Sequence, residues 1–226
     1  MPAEVSGEVV PHSDLNMATY EAVLFDFDGV LVDSEPLHFA CWREILAPLG
    51  VNLDWETYLR RCRGKSDRDL LDVLCTLSDP PLDLNRLLEL YPRKKERFRQ
   101  VILEGEPIGK EVRALLESLS GYKLALVSSN GRVEIEPVLA TAGVEHYFEA
   151  IVCREDAPRP KPAPDPYRKA AELLGVAKAL VVEDTVIGAA SGKAAGFDVV
   201  VVPSVEEMPG LVRMALEAKA ESDSRS

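Results

Sequence analysis

The stretch AVLFDFDGVLVDSEP (22–36) runs an apolar segment straight into Asp26, Phe27, Asp28 and Gly29. Carboxylates at the end of a buried apolar run are costly unless something there neutralises or uses them. Of two such groups, one can attack phosphorus and form an acyl phosphate. The other can protonate a leaving oxygen and then deprotonate the incoming water. Gly29 lets the chain turn away and keeps the space above the aspartates open. Three more groups with matching chemistry follow: Ser128-Ser129-Asn130-Gly131, Lys161 within REDAPRPKPAP, and Glu183-Asp184-Thr185. Crowded carboxylates repel and shift one another's pKa values. A hard divalent cation with oxygen ligands resolves that, and Mg2+ suits it. With Lys161 and a Ser128 hydroxyl ahead of a helix N-terminus, the set fits a phosphoryl group.

These groups must be brought to one place. Each falls at or just beyond an apolar run: AVLF (22–25), KLALV (123–127), AIVC (150–153) and ALVV (179–182), with DVVVV (198–202) as a fifth. Runs without alternation read as strands buried on both faces of a parallel sheet. Helical stretches lie between most of them, over 107–119, at EIEPVLATAG, at PDPYRKAAELLG and at GAASGKAAG, with glycine stops at Gly143, Gly175 and Gly196. The fold expected is α/β, a Rossmann-like doubly wound parallel sheet, whose carboxyl edge is where ligands bind. Residues 37–104 break the rhythm with helical segments and are too long for a simple crossover. They read as an inserted α-helical cap domain, on a core of 19–36 and 105–215. Residues 1–18 carry Glu4, Glu8 and Asp14 without a basic start or apolar centre, and read as a flexible tail and not a signal peptide. Residues 216–226 read as a second flexible tail.

The bulk numbers exclude several classes. Of the 226 residues 28% are charged, and the formal net charge of -12 argues against a nucleic-acid or anionic-membrane binder. No apolar run approaches the ~20 residues that span a bilayer. Cys41, Cys62, Cys75 and Cys153 are scattered without a C-x-x-C pair, as expected of reduced thiols in a cytoplasmic protein.

DFDGVLVDSEP, LVSSNGR, KPAPDPY and VVEDTVIGAASGKAAG, in that order over residues 20–203, resemble the haloacid dehalogenase (HAD) superfamily. The similarity is to its helical-capped branch of β-phosphoglucomutases and sugar-phosphate phosphatases. The resemblance implies Asp26 as nucleophile and Asp28 as general acid/base. It implies Ser128 and Lys161 on the transferring phosphate, with Gly29, Ser129 and Asn130 around the substrate. Mg2+ would be held by Asp26, the Asp28 carbonyl and Asp184, with Glu183 beside it. The second aspartate separates the chain from dehalogenases. In the cap, PLHFACW resembles the first cap helix, with His38 and Trp42 facing the cleft. RGKSDRD resembles a specificity loop carrying Arg68, and RKKER supplies Lys94 where mutases have a cap lysine.

The expected activity is Mg2+-dependent hydrolysis of a small phosphorylated metabolite through an aspartyl phosphate, by a monomer or weak homodimer. Phosphoglucomutase-type transfer is the alternative, favoured by His38 and Lys94 but opposed by Ser34 and by Asp67 or Arg68 where mutases carry Thr and Arg. A receiver-like phospho-acceptor is opposed by the insert and the second aspartate. Simpler readings stand beside these. Ser128 can be a helix N-cap, Glu183 and Asp184 can cap the next helix, Trp42 and Tyr167 can be core, and the cap cations can be a solvated face.

Overall fold

A computed structural model describes residues 20–63, 65 and 67–223. Five strands form one parallel sheet in the order β3-β2-β1-β4-β5. They are β1 (Ala22–Phe25), β2 (Lys123–Val127), β3 (Ala150–Val152), β4 (Ala179–Glu183) and β5 (Asp198–Val201). β1 sits in the middle, paired in register from Ala22 with Lys123 of β2 and with Ala179 of β4. The chain therefore builds outward from β1 in both directions, and the strand order reverses beside it. In an open α/β sheet the crevice at that reversal is the ligand site.

β1 and β4 are buried throughout, as their unbroken apolar runs require. The run at 198–202 behaves differently from expectation. β5 is only partly covered, with Val201 half exposed, because it is the sheet's edge and has a neighbour on one side.

Helices cover both faces. On one side α5 (Lys110–Ser118), α6 (Arg132–Ala142) and α9 (Met208–Asp223) pack on Val23, Phe25, Leu126 and Val182. On the other, α7 (Asp165–Leu174) and α8 (Val186–Ala195) cover Leu24, Ala125, Val127 and Val181. The small residues of α8 allow the close approach: a Cβ on Gly192 would lie 3.0 Å from a Val181 methyl. The helices end at Gly143, Gly175 and Gly196 as their sequences indicate.

Between β1 and β2 lie α1 (Glu35–Leu46), α2 (Trp55–Arg61), α3 (Asp67–Cys75) and α4 (Leu84–Glu104). They share an apolar cluster of their own, around Trp42, Leu46, Tyr58, Leu74 and Leu87. Helix α2 is not marked by periodicity, being seven residues long; Asp54 fixes its start by accepting the Thr57 N–H at 2.8 Å. Trp42 does not face the cleft. It is fully buried in this cluster, stacked on Tyr91, because the apolar face of α1 turns toward its own neighbours.

The C-terminal segment also departs from expectation: residues 216–223 are not a frayed tail but the last turns of α9. Leu216 packs against the core and Lys219 pairs with Asp198 of the edge strand at 3.5 Å. Ala, Glu and Lys are good helix formers, so one anchored face suffices. The expectations for 1–18 and 224–226 lie outside the described residues. Among the described residues the four cysteines are unpaired, and no helix is long and apolar enough to cross a membrane.

Candidate active site

The sheet's carboxyl edge gathers the groups singled out above. Asp26 follows β1 directly, and its N–H continues the sheet by donating to Val182 at 2.9 Å. Lys161 reaches in from the loop after β3. Its Nζ donates to Asp26 Oδ1 and to Glu183 Oε1, each at 2.6 Å, and to the Val127 carbonyl at 3.0 Å. The lysine is almost wholly enclosed, so these are charge-assisted bonds in a dry setting. Burial disfavours its charge, but Asp26 and Glu183 more than compensate and raise its pKa.

Glu183, the last residue of β4, is 1% exposed and saturated with donors. Tyr167 donates to its Oε1 at 2.7 Å, from the first turn of α7. The Asp184 N–H and the Thr185 hydroxyl reach its Oε2, both at 3.2 Å. Thr185, not Asp184, caps α8, by accepting the Gly188 N–H at 3.0 Å. Gly188 leaves the space that Glu183 fills, since a Cβ there would sit 1.9 Å from its carboxylate.

Asp184 is beside this network. Its carboxyl is pushed up to about 6, first by burial and then by Glu183. Burial likewise drives Asp26 well above the usual carboxylate range; Lys161 opposes the shift and Glu183 adds to it. One ammonium is thus too little positive charge for the acids around it. Carboxylate oxygens of Asp26, Glu183 and Asp184 lie within 4.8 Å of one another, and Asp184 Oδ1 is buried without a hydrogen-bond donor. An all-oxygen set with an orphaned acceptor is what a hard cation fits. Gly29 has φ 73° at this point, and a Cβ there would stand 2.2 Å from Asp184 Oδ2. The turn therefore requires glycine twice over, for conformation and for space.

The Asp28 side chain is not in the carboxylate cluster. It turns to the loop after β2, where Asn130 Nδ2 donates to its Oδ2 at 2.6 Å. Burial raises its pKa against the hydrogen bonds of Ser34 and Asn130, which favours a form that can give up a proton. Ser128 is buried, and its Oγ accepts the Asn130 N–H at 3.1 Å, so it shapes the loop and does not cap α6, whose N-cap is Gly131. Ser129 is exposed toward the cleft.

The cleft between the helical insert and this edge holds a cavity of about 370 Å³. His38 and Lys94 line it, together with Ser129 and Asn130. The Lys94 ammonium donates to His38 Nδ1 at 2.6 Å, and the imidazole stacks on Phe98 with centroids 4.0 Å apart. Burial, then Lys94, hold His38 well below its ordinary value, so the ring is neutral and accepts. Arg68 is exposed on α3 and does not line the cavity; from the same loop Lys65 does, with Lys95, Arg99 and Arg154. A larger cavity, about 570 Å³, lies where 101–112 crosses 32–37 and is lined by Asp33, Glu106, Glu111 and Glu206, a field that repels phosphate.

Three residues of this region have no site role in the sequence reading. Tyr167, together with Thr185, holds Glu183, Gly188 makes room for it, and Glu134 caps the 128–131 loop by accepting the Gly131 N–H at 3.1 Å. Only KPAPDPY, with its tyrosine just past the lysine loop, carried a usable signal.

Comparison with known proteins agrees with this fold. Residues 23–202 match the family model described as haloacid dehalogenase-like hydrolase. The chain is 30% identical over 185 residues to "Fructose-1-phosphate phosphatase YqaB" of Escherichia coli, covering 80% of this chain and 95% of that one. It is 30% identical over 213 residues to "Beta-phosphoglucomutase" of Mycobacterium tuberculosis, covering 80% and 79%. The crystal structure of CbbY from Rhodobacter sphaeroides in complex with phosphate superposes with a TM-score of 0.65 at 27% identity, over 82% of this chain and 87% of that one. The chain belongs to the haloacid dehalogenase-like hydrolase family.

Proposed function

We propose that this protein is a Mg2+-dependent phosphatase that hydrolyses a small phosphate monoester through an aspartyl phosphate on Asp26. The observation that carries the reading is Lys161 bound to both Asp26 and Glu183 beside an undercompensated Asp184. Asp26, Asp184 and the Asp28 carbonyl would hold Mg2+, with Glu183 behind them. When bound, the cation supplies positive charge to the phosphoryl oxygens as they approach the acids.

The protein's own groups divide the rest. The Asp26 carboxylate attacks phosphorus, and the P–O bond to the leaving group breaks. The Asp28 carboxyl gives its proton to the departing oxygen. Water then attacks the phosphorus of the acyl phosphate while Asp28 takes the water's proton. The P–O bond to Asp26 breaks, which regenerates the carboxylate and releases inorganic phosphate. Lys161 and the Ser128 hydroxyl hold the equatorial oxygens, where charge spreads in the transition state. Ser129 and Asn130 face the substrate across the cleft.

The relatives named above support a phosphorylated sugar or similar metabolite as substrate. The cleft's cations, with Glu134 as the sole carboxylate among its described lining residues, favour one that carries a further anionic group. A bare phospho-acceptor would have no use for such a cavity. Mutase-type transfer stays as a second reading because Lys94 and His38 form a bonded pair in the cleft. The test is purified protein with p-nitrophenyl phosphate, acetyl phosphate and a sugar-phosphate panel, with Mg2+ or EDTA. Mg2+-dependent phosphate release that Asp26→Asn abolishes is expected. Isomerised sugar phosphate without release would favour the mutase, and full turnover by Asp26→Asn would remove it as nucleophile.

A further inference from the structure

We propose that Glu134 is a positioning residue, through which the seating of cap helix α4 is transmitted to the loop that holds Asp28. The inference rests on the phosphatase reading for its catalytic consequence, but its physical basis is independent of it.

Glu134 uses its two oxygens on different parts of the molecule. Oε1 pairs with Lys95 of α4 at 2.7 Å, and Oε2 accepts the Gly131 N–H at 3.1 Å. Gly131 adjoins Asn130, whose amide donates to Asp28 Oδ2. A continuous route of hydrogen bonds and one peptide unit therefore runs from the cap to the proposed acid/base. The contacts between α4 and α6 bring the two helices together at this point. Elsewhere the loop is pinned from the core: the Arg154 N–H donates to the Asn130 carbonyl at 3.0 Å, and Glu155 accepts the Arg132 N–H at 3.2 Å. Those contacts do not involve α4; the Lys95 contact does.

The charge of Glu134 favours this role. Burial works against it, but the bonds from Lys95 and Gly131 prevail and keep its pKa below the ordinary value. Without Lys95 the carboxylate loses a charged partner and gains reason to swing to water, away from Gly131. Its side chain is 22% exposed, so water is within reach. A carboxylate shared between a side chain of α4 and a backbone N–H of the loop links the two through contiguous contacts.

The test combines amide exchange with a kinetic cycle on the full chain. By NMR, Lys95→Met should speed Gly131 N–H exchange about threefold, with amides in β2 unchanged. Unchanged Gly131 exchange overturns the proposal, whatever the protein catalyses. In turnover of the best substrate of the panel, Lys95→Met and Glu134→Gln should each lower kcat about fivefold, and the double variant no further, since both act through one contact. Glu134→Ala, which also loses the acceptor for Gly131, should fall below Glu134→Gln. Multiplied effects in the double variant, or unchanged kcat with a lowered melting temperature, would reduce Glu134 to a structural residue. Absence of phosphate release from every ester would fail the phosphatase reading alone, with the exchange result still deciding the coupling.

Discussion

Replacing Tyr167 with Phe tests the buried network with the least collateral change. The ring is fully buried and Phe keeps its shape, so packing is retained and only the O–H is lost. That O–H donates to Glu183 Oε1 at 2.7 Å, with both side chains buried. A hydrogen bond to a charged group contributes about 1.5–3 kcal/mol net. Glu183 keeps Lys161 on the same oxygen, which places the cost near the middle, at about 2 kcal/mol. For a chain of this length about 1 kcal/mol moves the melting temperature by about 2–4 °C, so a fall of about 4–8 °C is expected. The same oxygen positions Lys161 against Asp26, so kcat should fall about tenfold, equivalent to about 1.4 kcal/mol in the barrier. Differential scanning calorimetry and steady-state hydrolysis read the two effects. A melting temperature within about 1 °C of wild type together with unchanged kcat would refute the view that Tyr167 supports this network.

Other perturbations address neighbouring parts. Gly29→Ala puts a Cβ into Asp184 at a left-handed φ, so a loss of turnover of at least about a hundredfold is expected, equivalent to about 2.7 kcal/mol, and near-normal kcat would contradict it. Asp184, with its pKa near 6 against 3.8 unfolded, binds its proton more tightly when folded, so in EDTA its contribution to stability grows as pH falls from 7 toward 4. His38 works the other way below 6.5 but is common to both forms, so the rise in melting temperature caused by Mg2+ isolates the carboxylates. That rise should be present at neutral pH and shrink below about pH 6 as protons compete for Asp184; a constant rise would count against it as a ligand. Finally, a sugar bisphosphate should show kcat/KM about tenfold above the monophosphate of the same skeleton, and Lys65→Gln with Arg154→Gln should narrow the gap. Equal values in wild type would leave the cleft's cations without a substrate role.

What could be read from sequence follows from what was local. The strands announce themselves because a strand covered on both faces must be apolar throughout, and the carboxylates stand out because they interrupt such runs. Edge and centre cannot be told apart that way: DVVVV and KLALV look alike, yet β5 has one neighbour and only partly covered valines. Helix α2 is too short for a period, and α9 runs on through AESD because Lys219 finds Asp198 across the sheet, a contact no local pattern encodes.

The site divides along the same line. Asp26, Lys161 and Asp184 belong to motifs whose oddity is visible in a few residues. Tyr167 is an aromatic at the start of a helix and reads as core; its place in the network comes from a hydroxyl that meets a carboxylate at the end of β4. Glu134 reads as an ordinary acid in a first helical turn, where carboxylates are favoured anyway. Its second oxygen acquires meaning only because α4 delivers Lys95 to it from the inserted helices. Which cations of RGKSDRD reach the cavity is likewise set by the start of α3 at Asp67, which leaves Arg68 in solvent and Lys65 on the cleft. Sequence therefore identifies the groups proposed to react, while the residues that hold them and line the cleft are fixed by how distant helices meet the sheet.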